Sequence, residues 1–596
     1  MSEPGSDERH LRALNPEQRR AVLCTDGPVL VLAGAGSGKT KTLVHRIVHL
    51  VRGRGVPPHR IVVVTFTNRA ADEMRERVKS YAGDVAGSVV ISTFHSLGVR
   101  LLRQHGERLG LPKRFAIYAQ ADQLGALRAA CADISIDDDR FDMKQVLRRI
   151  SDWKGRGVTP DEARRDVAGQ GATGTRADDY AVLAADAYPR YQQVLRACGA
   201  VDFDDLLSLP VKLLESDEEV RRDVWRRYHH VMVDEYQDTN GIQLRMARLL
   251  AGTRRNLCVV GDDDQSIYAF RGADVGNILA FEEHFPGATV VTLEQNYRST
   301  RRILEVANVV IAGLPHRHAK RLRTENPIGD TVDLYEHEDD TLEAETVASE
   351  ISIRHFTRKV GWRDIGVLYR TNTQARPLEE ALRAKGVPYR VLGGTSFFDR
   401  KEVADGVAYL RALAHPDDEI ALRRIINYPT RGIGRTTVLR VAEHAQRRSA
   451  SFSDALAAVT EGDVGAAQHA AIRDFLELVH DARAALREAE RRATSLPPSK
   501  GKPPIAAWAE GLLRRLRLEE AIRADPRLAG FADRRVDNLR ELVGALVRYE
   551  RRWWAAAPEG ATPSLSDALA RLALSDLDDP EDDQETADVV TLMTLH

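Results

Sequence analysis

Phosphoryl chemistry needs a cation to meet phosphate oxygens, a hydroxyl and a carboxylate to hold Mg²⁺, and a base for the attacking water. All four residue types stand at suggestive places in this chain. Lys39 and Thr40 close the run Pro28-Val29-Leu30-Val31-Leu32-Ala33-Gly34-Ala35-Gly36-Ser37-Gly38-Lys39-Thr40, where an apolar stretch breaks into glycines. Glycines let backbone N–H groups close around a phosphate, and a following helix N-terminus adds partial positive charge. In such a loop the lysine reaches the β- and γ-phosphates and the threonine hydroxyl binds Mg²⁺. One position departs from the pattern: glycine is expected at the opening of the loop, and Ala33 stands there. Asp234 and Glu235 end a second apolar run, His230-Val231-Met232-Val233. An aspartate at a strand tip suits Mg²⁺, and the glutamate beside it can polarise a water in line with a γ-phosphate.

The elements that position these residues follow from the apolar patterning. Residues 28–33 read as a strand buried on both faces, and Leu43, Val44, Ile47, Val48 and Val51 mark the helix after the glycines. Before the loop, Asn15 can cap a helix with Pro16 at its first position. Gln18, in the first turn of that helix, is either part of the cap or a reader of an adenine edge, since its amide both donates and accepts. Further strands are expected at Ile61–Phe66 and Val89–Ser96, with Phe66, Asn68, Thr93 and His95 near their carboxyl ends, where α/β sheets bind ligands. Taken singly, each phenylalanine would more often be core. Leu257–Val260 leads into Gly261-Asp262-Asp263-Asp264-Gln265-Ser266-Ile267-Tyr268-Ala269-Phe270-Arg271, where Gln265 stands three residues from Tyr268 and five from Phe270. That arrangement could report a γ-phosphate to stacked bases. Val290–Thr300 reads as a strand running into a helix, and a second α/β set is expected at Asp364–Asn372 and Val387–Gly393, with a last strand over Val589–His596. Between Pro112 and Gly199, and again after Gly394, the pattern is helical, interrupted by a proline-rich loop at 496–504 and an acidic stretch at 575–585. The long gap between Lys39 and Asp234 requires a helical insertion within the first sheet's domain.

Composition sets outer limits. A net charge of −2 hides many arginines balanced by acids, so a polyanion must be met by a local groove rather than by bulk charge. Cys24, Cys131, Cys198 and Cys258 lack metal-ligand or paired spacing and read as buried thiols in a reducing compartment. No apolar run approaches the ~18 residues of a membrane span. A cytoplasmic protein with no membrane partner is expected.

Taken together these residues resemble the UvrD/Rep/PcrA family of superfamily 1 DNA helicases. The resemblance rests on Asp234-Glu-Tyr-Gln-Asp238, the Gly261–Tyr268 segment and Glu294-Gln-Asn-Tyr-Arg-Ser299, in this order. The run at 393–402 looks most like the Rep branch. The resemblance implies an α/β fold, a P-loop NTPase with two RecA-like motor domains built on parallel sheets, each carrying an α-helical insertion. The first motor would span 1–112 and 200–293, with 113–199 inserted; the second would span 294–394 and 586–596, with 395–585 inserted.

The resemblance also implies ATP and Mg²⁺ as cofactors. Gln18 would read adenine, and Ala33, Gly34, Ala35, Gly36, Ser37, Gly38, Lys39 and Thr40 would hold the phosphates. Thr40 and Asp234 would support the metal, and Glu235 would activate water. Gln265 would sense the γ-phosphate, Tyr297 would stack on adenine, and Arg298 would reach the phosphates from the second motor. Phe66, Asn68, Thr93, His95, Tyr268, Phe270, Arg271 and Asn372 match positions that touch or support single-stranded DNA. Gly432 and Gly434 lie in a segment, 427–434, similar to a loop that grips duplex DNA through its backbone, although a plain Pro/Gly turn between helices fits as well. Arg69 stands where lysine is usual and Phe270 where tryptophan is usual; either ring can stack on a base.

The implied activity is ATP-dependent 3′→5′ helicase or translocase action on single-stranded DNA and at single-strand/duplex junctions, in replication or repair. Two alternatives stand beside it: a translocase that displaces proteins and unwinds weakly, and an ATP- and DNA-binding fragment without turnover. Family members continue past His596 with a ribose-binding glutamate and a second arginine finger, so the chain as written is expected to be C-terminally truncated and to hydrolyse ATP poorly. Loss of an arginine finger lowers phosphoryl-transfer rates about 10³–10⁵-fold.

Overall fold

In the computed structural model the described residues are 9–83, 87–132, 141–169, 176–392, 397–448, 450–495, 501–525, 530, 532–556, 562–575 and 587–595. The proline-rich loop lies largely outside them, as do the acidic stretch and the first four residues of the Rep-like run at 393–402. The chain divides into two units. One comprises Met1–Leu97, Leu214–Ser396 and Asp578–His596, the other Gly98–Leu213 and Phe397–Leu577.

The first unit is built on a six-stranded sheet. Its strands are β1 (Val29–Ala33), β2 (Ile61–Thr65), β3 (Val90–Thr93), β4 (His230–Val233), β5 (Leu257–Gly261) and β6 (Thr289–Leu293). They lie in the order β3-β2-β4-β5-β1-β6, with every pair parallel. All-parallel sheets are covered on both faces, which is why these strands read as unbroken apolar runs. All residues of β1, β2, β4 and β5 are buried. Helix α1 (Pro16–Leu23) precedes β1, α2 (Lys39–Val48) follows it, and α3 (Asn68–Ala82) follows β2. Leu43, Val44, Ile47 and Val48 of α2 pack with Met74 and Val78 of α3 over Val29, Val31, Ile61 and Val63. Each such side chain contributes about 1.5–3 kcal/mol when fully buried, and together they hold the carboxyl ends of the strands in register.

The same unit carries a smaller, three-stranded parallel sheet in which Val590–Thr594 lies between Gly366–Tyr369 and Tyr389–Val391. A chain stretch about two hundred residues further on thus supplies the middle strand. Val590 and Leu592 pack with Leu378, Leu382, Val387, Ala344 and Ala348.

The second unit is almost wholly helical. The reading of residues 112–199 as strandless needs one correction: Ala116–Ile117 pairs in parallel with Ala200–Val201 at the two ends of that stretch. The pair is too short for an alternating pattern to reveal it. A further feature was invisible in the sequence: the two helical stretches share one core. Leu102, Phe115, Ile117, Val201 and Leu206 pack with Ala570 and Leu574. Beside them Arg411, from helix Lys401–Ala414, is bidentate to Asp122 and stands 2.5 Å from Asp418, while the Tyr118 hydroxyl donates to Asp418 at 2.7 Å.

Candidate nucleotide and nucleic-acid site

The glycine loop forms at the carboxyl end of β1 as its residue types require. Gly36 and Gly38 adopt left-handed φ values of +67° and +86°, which side chains resist and glycine does not. Space reinforces the requirement. A Cβ at Gly36 would come within 2.6 Å of Asn296 Nδ2 and 2.8 Å of Arg298 Cβ, and one at Gly38 within 2.8 Å of Gln18 Nε2. Ser37 closes the turn, its backbone N–H and its hydroxyl both donating to the Gly34 carbonyl. Gln18 is fully buried: its Oε1 accepts from the Asn15 backbone in a capping box, and its Nε2 donates to the Ser37 carbonyl at 2.9 Å. Gln18 therefore takes part in the cap and also fixes the floor of the loop.

Lys39 begins α2 and reaches across to the tip of β4, where its ammonium stands 2.6 Å from Glu235 Oε2. Asp234 is nearly buried, and its backbone N–H donates to the Val64 carbonyl of β2. Burial, then the neighbouring Glu235, pushes its carboxyl up to about 7 against the opposing pull of Lys39. Glu235 itself takes a left-handed backbone, φ 48°. That turn aims its side chain toward Lys39 rather than along the strand.

Gln237, which the sequence reading did not single out, organises this tip. Its Nε2 donates to Glu235 Oε2 at 3.0 Å and to Asp238, and its Oε1 accepts from the Asp262 backbone at 2.9 Å, so it joins the ends of β4 and β5. The glycine cradle excludes side chains, and the oxygen donors available at Thr40 and Asp234 suit a hard cation. The residues present fit a nucleotide with its Mg²⁺.

The segment after β6 crosses directly over this loop. The Tyr297 backbone N–H donates to the Gly36 carbonyl at 2.9 Å, and its hydroxyl accepts from Asn15 Nδ2 at 3.0 Å. Tyr297 and Arg298, expected to act from the second motor, are thus anchored on the phosphate loop. The cause is topological, because β6 pairs with β1 and only three residues separate its end from Tyr297. Asn296, also missed, secures the crossing: its Nδ2 donates to the Ala35 carbonyl at 2.7 Å, and its Oδ1 accepts from the backbones of Arg298 and Ser299.

After β5, the side chains of Asp262, Asp263 and Asp264 bring oxygens within 4.8 Å of one another. A cation already stands among them. Lys320 Nζ lies 2.9 Å from Asp262 and from Asp264 and contacts Asp263, while Arg317 is bidentate to Asp264 at 2.7 Å. Burial opposes charge on Lys320, but the three carboxylates prevail and raise its pKa. Burial also opposes charge on Asp263, yet hydrogen bonds from His318 and Lys320 hold its carboxyl well below the usual range. Gln265 Nε2 donates to Asp262 Oδ2. No pattern marked Arg317 and Lys320; the only trace is a basic cluster at 316–323.

Beyond the same strand ends runs an aromatic row. Phe66 and Tyr268 have ring centroids 5.0 Å apart, and Tyr268 and Phe270 6.0 Å. The Arg271 guanidinium lies 5.5 Å from the Tyr268 ring centroid and 5.8 Å from that of Phe270, which is 62% exposed. Beside the row, the Thr93 hydroxyl donates to Ser96 and that of Ser96 donates to Asn68 Oδ1. Burial lowers the His95 imidazole to about 4, so it is neutral at pH 7. Six of the expected nucleic-acid residues therefore share two adjoining clusters: Phe66, Tyr268, Phe270 and Arg271 in the row, Asn68 and Thr93 beside it. Asn372 is elsewhere, at an exposed turn after Gly366–Tyr369.

Gly432 and Gly434 belong to the second unit, in a loop pinned from within. Asn427 Oδ1 accepts from the backbones of Arg431 and Ile433, while the Arg431 guanidinium donates to the carbonyls of Ile425, Ile426 and Pro429. Gly432 is at φ +79° with nothing near its absent Cβ.

Comparison with known proteins agrees with this geometry. The family model described as UvrD/REP helicase N-terminal domain matches residues 14–286, and that described as UvrD-like helicase C-terminal domain matches 291–596. The chain belongs to the UvrD/REP helicase family. Similar relatives of this UvrD/REP chain include the ATP-dependent DNA helicase PcrA of Bacillus subtilis (strain 168), 38% identical over 98% of this chain and 76% of that protein. The ATP-dependent DNA helicase UvrD1 of Mycobacterium tuberculosis (strain ATCC 25618 / H37Rv) is 39% identical over the whole of this chain and 76% of its own length. Membership accounts for the fold class: a P-loop α/β protein with two RecA-like motor domains, the larger parallel sheet carrying the glycine loop. Among the described residues of this UvrD/REP chain, no helix is long and apolar enough to cross a membrane.

Proposed function

We propose that this chain is an ATP-dependent DNA helicase that steps 3′→5′ along single-stranded DNA and opens duplexes at junctions, in replication or repair. The observation that carries the reading is the sharing of one sheet edge by two kinds of site. The tip of β4 presents Asp234 and Glu235 toward Lys39, while its hydrogen-bonded neighbour β2 ends at Phe66, the first ring of the aromatic row. One turn, from Asp262 to Arg271, runs from one site to the other.

In this reading the phosphate loop from Ala33 to Thr40 holds the nucleotide through backbone N–H groups, with Lys39 on the β- and γ-phosphates. Thr40 and Asp234 would hold Mg²⁺, which neutralises phosphate charge when bound. Glu235 accepts a proton from the attacking water, and phosphate oxygens free it for that task by competing for Lys39. Gln265 answers to the γ-phosphate, Arg298 adds positive charge beside Gly36, and Tyr297, next to Asn15 and α1, stacks on the base. Phe66, Tyr268 and Phe270 offer faces to DNA bases, while Arg271, Asn68, Thr93, His95 and Asn372 support the strand. Gly432 and Gly434 would meet duplex backbone.

We read the motors as 1–112 with 200–293 and 294–394 with 586–596, interrupted by 113–199 and 395–585. The four free cysteines are in keeping with work in the cytoplasm.

ATP hydrolysis with and without single-stranded DNA, together with unwinding of duplexes bearing 3′ or 5′ tails, tests the reading. Stimulated hydrolysis and preference for a 3′ tail are expected. Preference for a 5′ tail overturns the polarity. Nucleotide and DNA binding without stimulated hydrolysis favours the binding-fragment alternative, and stimulated hydrolysis with no unwinding favours the protein-displacing translocase.

A further inference from the structure

The segment 317–322 has contacts at both ends that the reading above does not use. At its start, Lys320 and Arg317 enter the carboxylates of Asp262, Asp263 and Asp264. The Asp262 carboxylate is shared: Oδ1 meets the Lys320 ammonium at 2.9 Å, and Oδ2 accepts from Gln265 Nε2. At its end, Leu322 presses on the phosphate loop so closely that a Cβ on Gly34 would lie 2.2 Å from Leu322 Cδ2. Asn308, on helix Arg301–Ile311, fixes Leu322 from behind, donating to its carbonyl at 2.9 Å and accepting from its N–H at 3.2 Å.

We propose that Lys320, assisted by Arg317, is a positioning residue that sets Gln265 through the Asp262 carboxylate and straps that turn to the phosphate loop. This rests on the reading of the site as an ATPase centre. The Lys320 side chain is 2% exposed, so its ammonium serves the three carboxylates and not solvent. Without it, three carboxylates whose oxygens lie within 4.8 Å of one another repel, and Asp262 must turn away or take up a proton. Either change removes the acceptor that orients the Gln265 amide. Because Leu322 is only two residues further on, a shift of the strap is felt at Gly34 as well. The turn that carries Gln265 and the phosphate loop at Gly34 are therefore aligned by one short segment from outside the six-stranded sheet.

The test compares Lys320→Met, Lys320→Arg and Gln265→Ala in the full chain. Lys320→Met should lower kcat for DNA-stimulated ATP hydrolysis about tenfold or more while KM for ATP stays within about threefold, the pattern of a lost alignment rather than lost binding. Lys320→Arg should recover part of that rate. Lys320→Met combined with Gln265→Ala should lose clearly less than the two single losses together, whereas a merely structural lysine gives additive losses. Independently of turnover, amide hydrogen exchange at 262–266 and 34–37 should quicken in Lys320→Met and return toward the original rate in Lys320→Arg. Additive losses, or unchanged exchange at both segments, overturn the proposal. If the unmodified chain shows no DNA-stimulated hydrolysis, the ATPase reading fails on its own account, and the exchange measurement alone decides whether the strap exists.

Discussion

Lys39 and Glu235, almost two hundred residues apart in the chain, meet as an ion pair 2.6 Å long at the head of the six-stranded sheet. A cation for phosphates and a carboxylate for water thus neutralise each other until phosphate oxygens compete for the lysine. Glu235→Gln should keep ATP affinity, because the amide no longer competes for the Lys39 ammonium, and should lose about 10²–10⁴ in hydrolysis rate, the usual contribution of a general base. Lys39→Ala should abolish turnover while leaving single-strand affinity within about tenfold, since the ammonium serves phosphates and is not part of the aromatic row. Equilibrium binding of a fluorescent ATP analogue and of a labelled oligonucleotide, beside steady-state hydrolysis, checks both. Equal loss of nucleotide affinity in the two variants contradicts the division of roles.

The aromatic row should govern DNA affinity more than net charge does. Phe270→Ala and Tyr268→Ala should each lose about 1–3 kcal/mol of single-strand binding, the range for one base stacked on one ring. Phe270→Trp should bind at least as well as phenylalanine, having the larger face. Fluorescence anisotropy at fixed salt reads all three. Affinities unmoved by the alanine changes, with unaltered DNA-stimulated hydrolysis, would show that the rings serve packing.

Asp263 gives a pH dependence whose sign is fixed by its surroundings. Its folded-state pKa lies below the ordinary value of 3.8 because His318 and Lys320 outweigh burial. A depressed carboxyl stabilises the fold above its unfolded pKa, and that contribution disappears as the pH falls below about 4. Asp263→Asn should therefore melt below the unmodified protein at pH 6, with the gap narrowing under acid. Thermal unfolding from pH 6 to pH 3 measures it, and a gap that widens in acid reverses the assignment.

In the second unit, Arg411→Met should leave Asp122 and Asp418 buried without their cation. Breaking a buried pair from one side costs about 3–5 kcal/mol, so the urea midpoint should fall sharply. Replacing Asp122, Asp418 and Arg411 together with apolar residues should restore much of it. A single variant as stable as the original would show that the pair contributes nothing.

The strands were legible because both-faces burial writes itself as unbroken valine, leucine and isoleucine, as in Val29–Ala33 and Ile61–Thr65. Lys39, Asp234 and Glu235 were legible because glycines and strand tips announce them. Gln237, Asn296, Arg317 and Lys320 were not. A glutamine or lysine acquires its meaning from partners brought close by folding, and nothing in its own neighbourhood foretells a carboxylate fifty positions away. Gln18 shows the converse, since its local signal supported both a cap and a base reader, and the capping box is the part that local geometry alone could decide. The helix Arg301–Ile311 carries an apolar stripe, yet its Val309 and Val310 are 76% and 70% exposed. Periodicity reports a face and not what lies against it.

The strand order has a consequence for how the protein is made. Both neighbours of β1 come from far downstream, β5 from Leu257–Gly261 and β6 from Thr289–Leu293. On a ribosome, residues 29–40 emerge long before anything they pair with. At about 5–20 residues per second, the roughly 260 residues between Ala33 and its partner Leu293 take about 13–50 s to synthesise. For most of that interval, until β5 has emerged, an apolar strand and a glycine-rich turn wait unpaired, while β2 and β3 already have each other. The phosphate loop, first of the site to be translated, is therefore among the last parts to take shape, and the nascent chain should need shielding over 29–51 until residue 293 has cleared the exit tunnel.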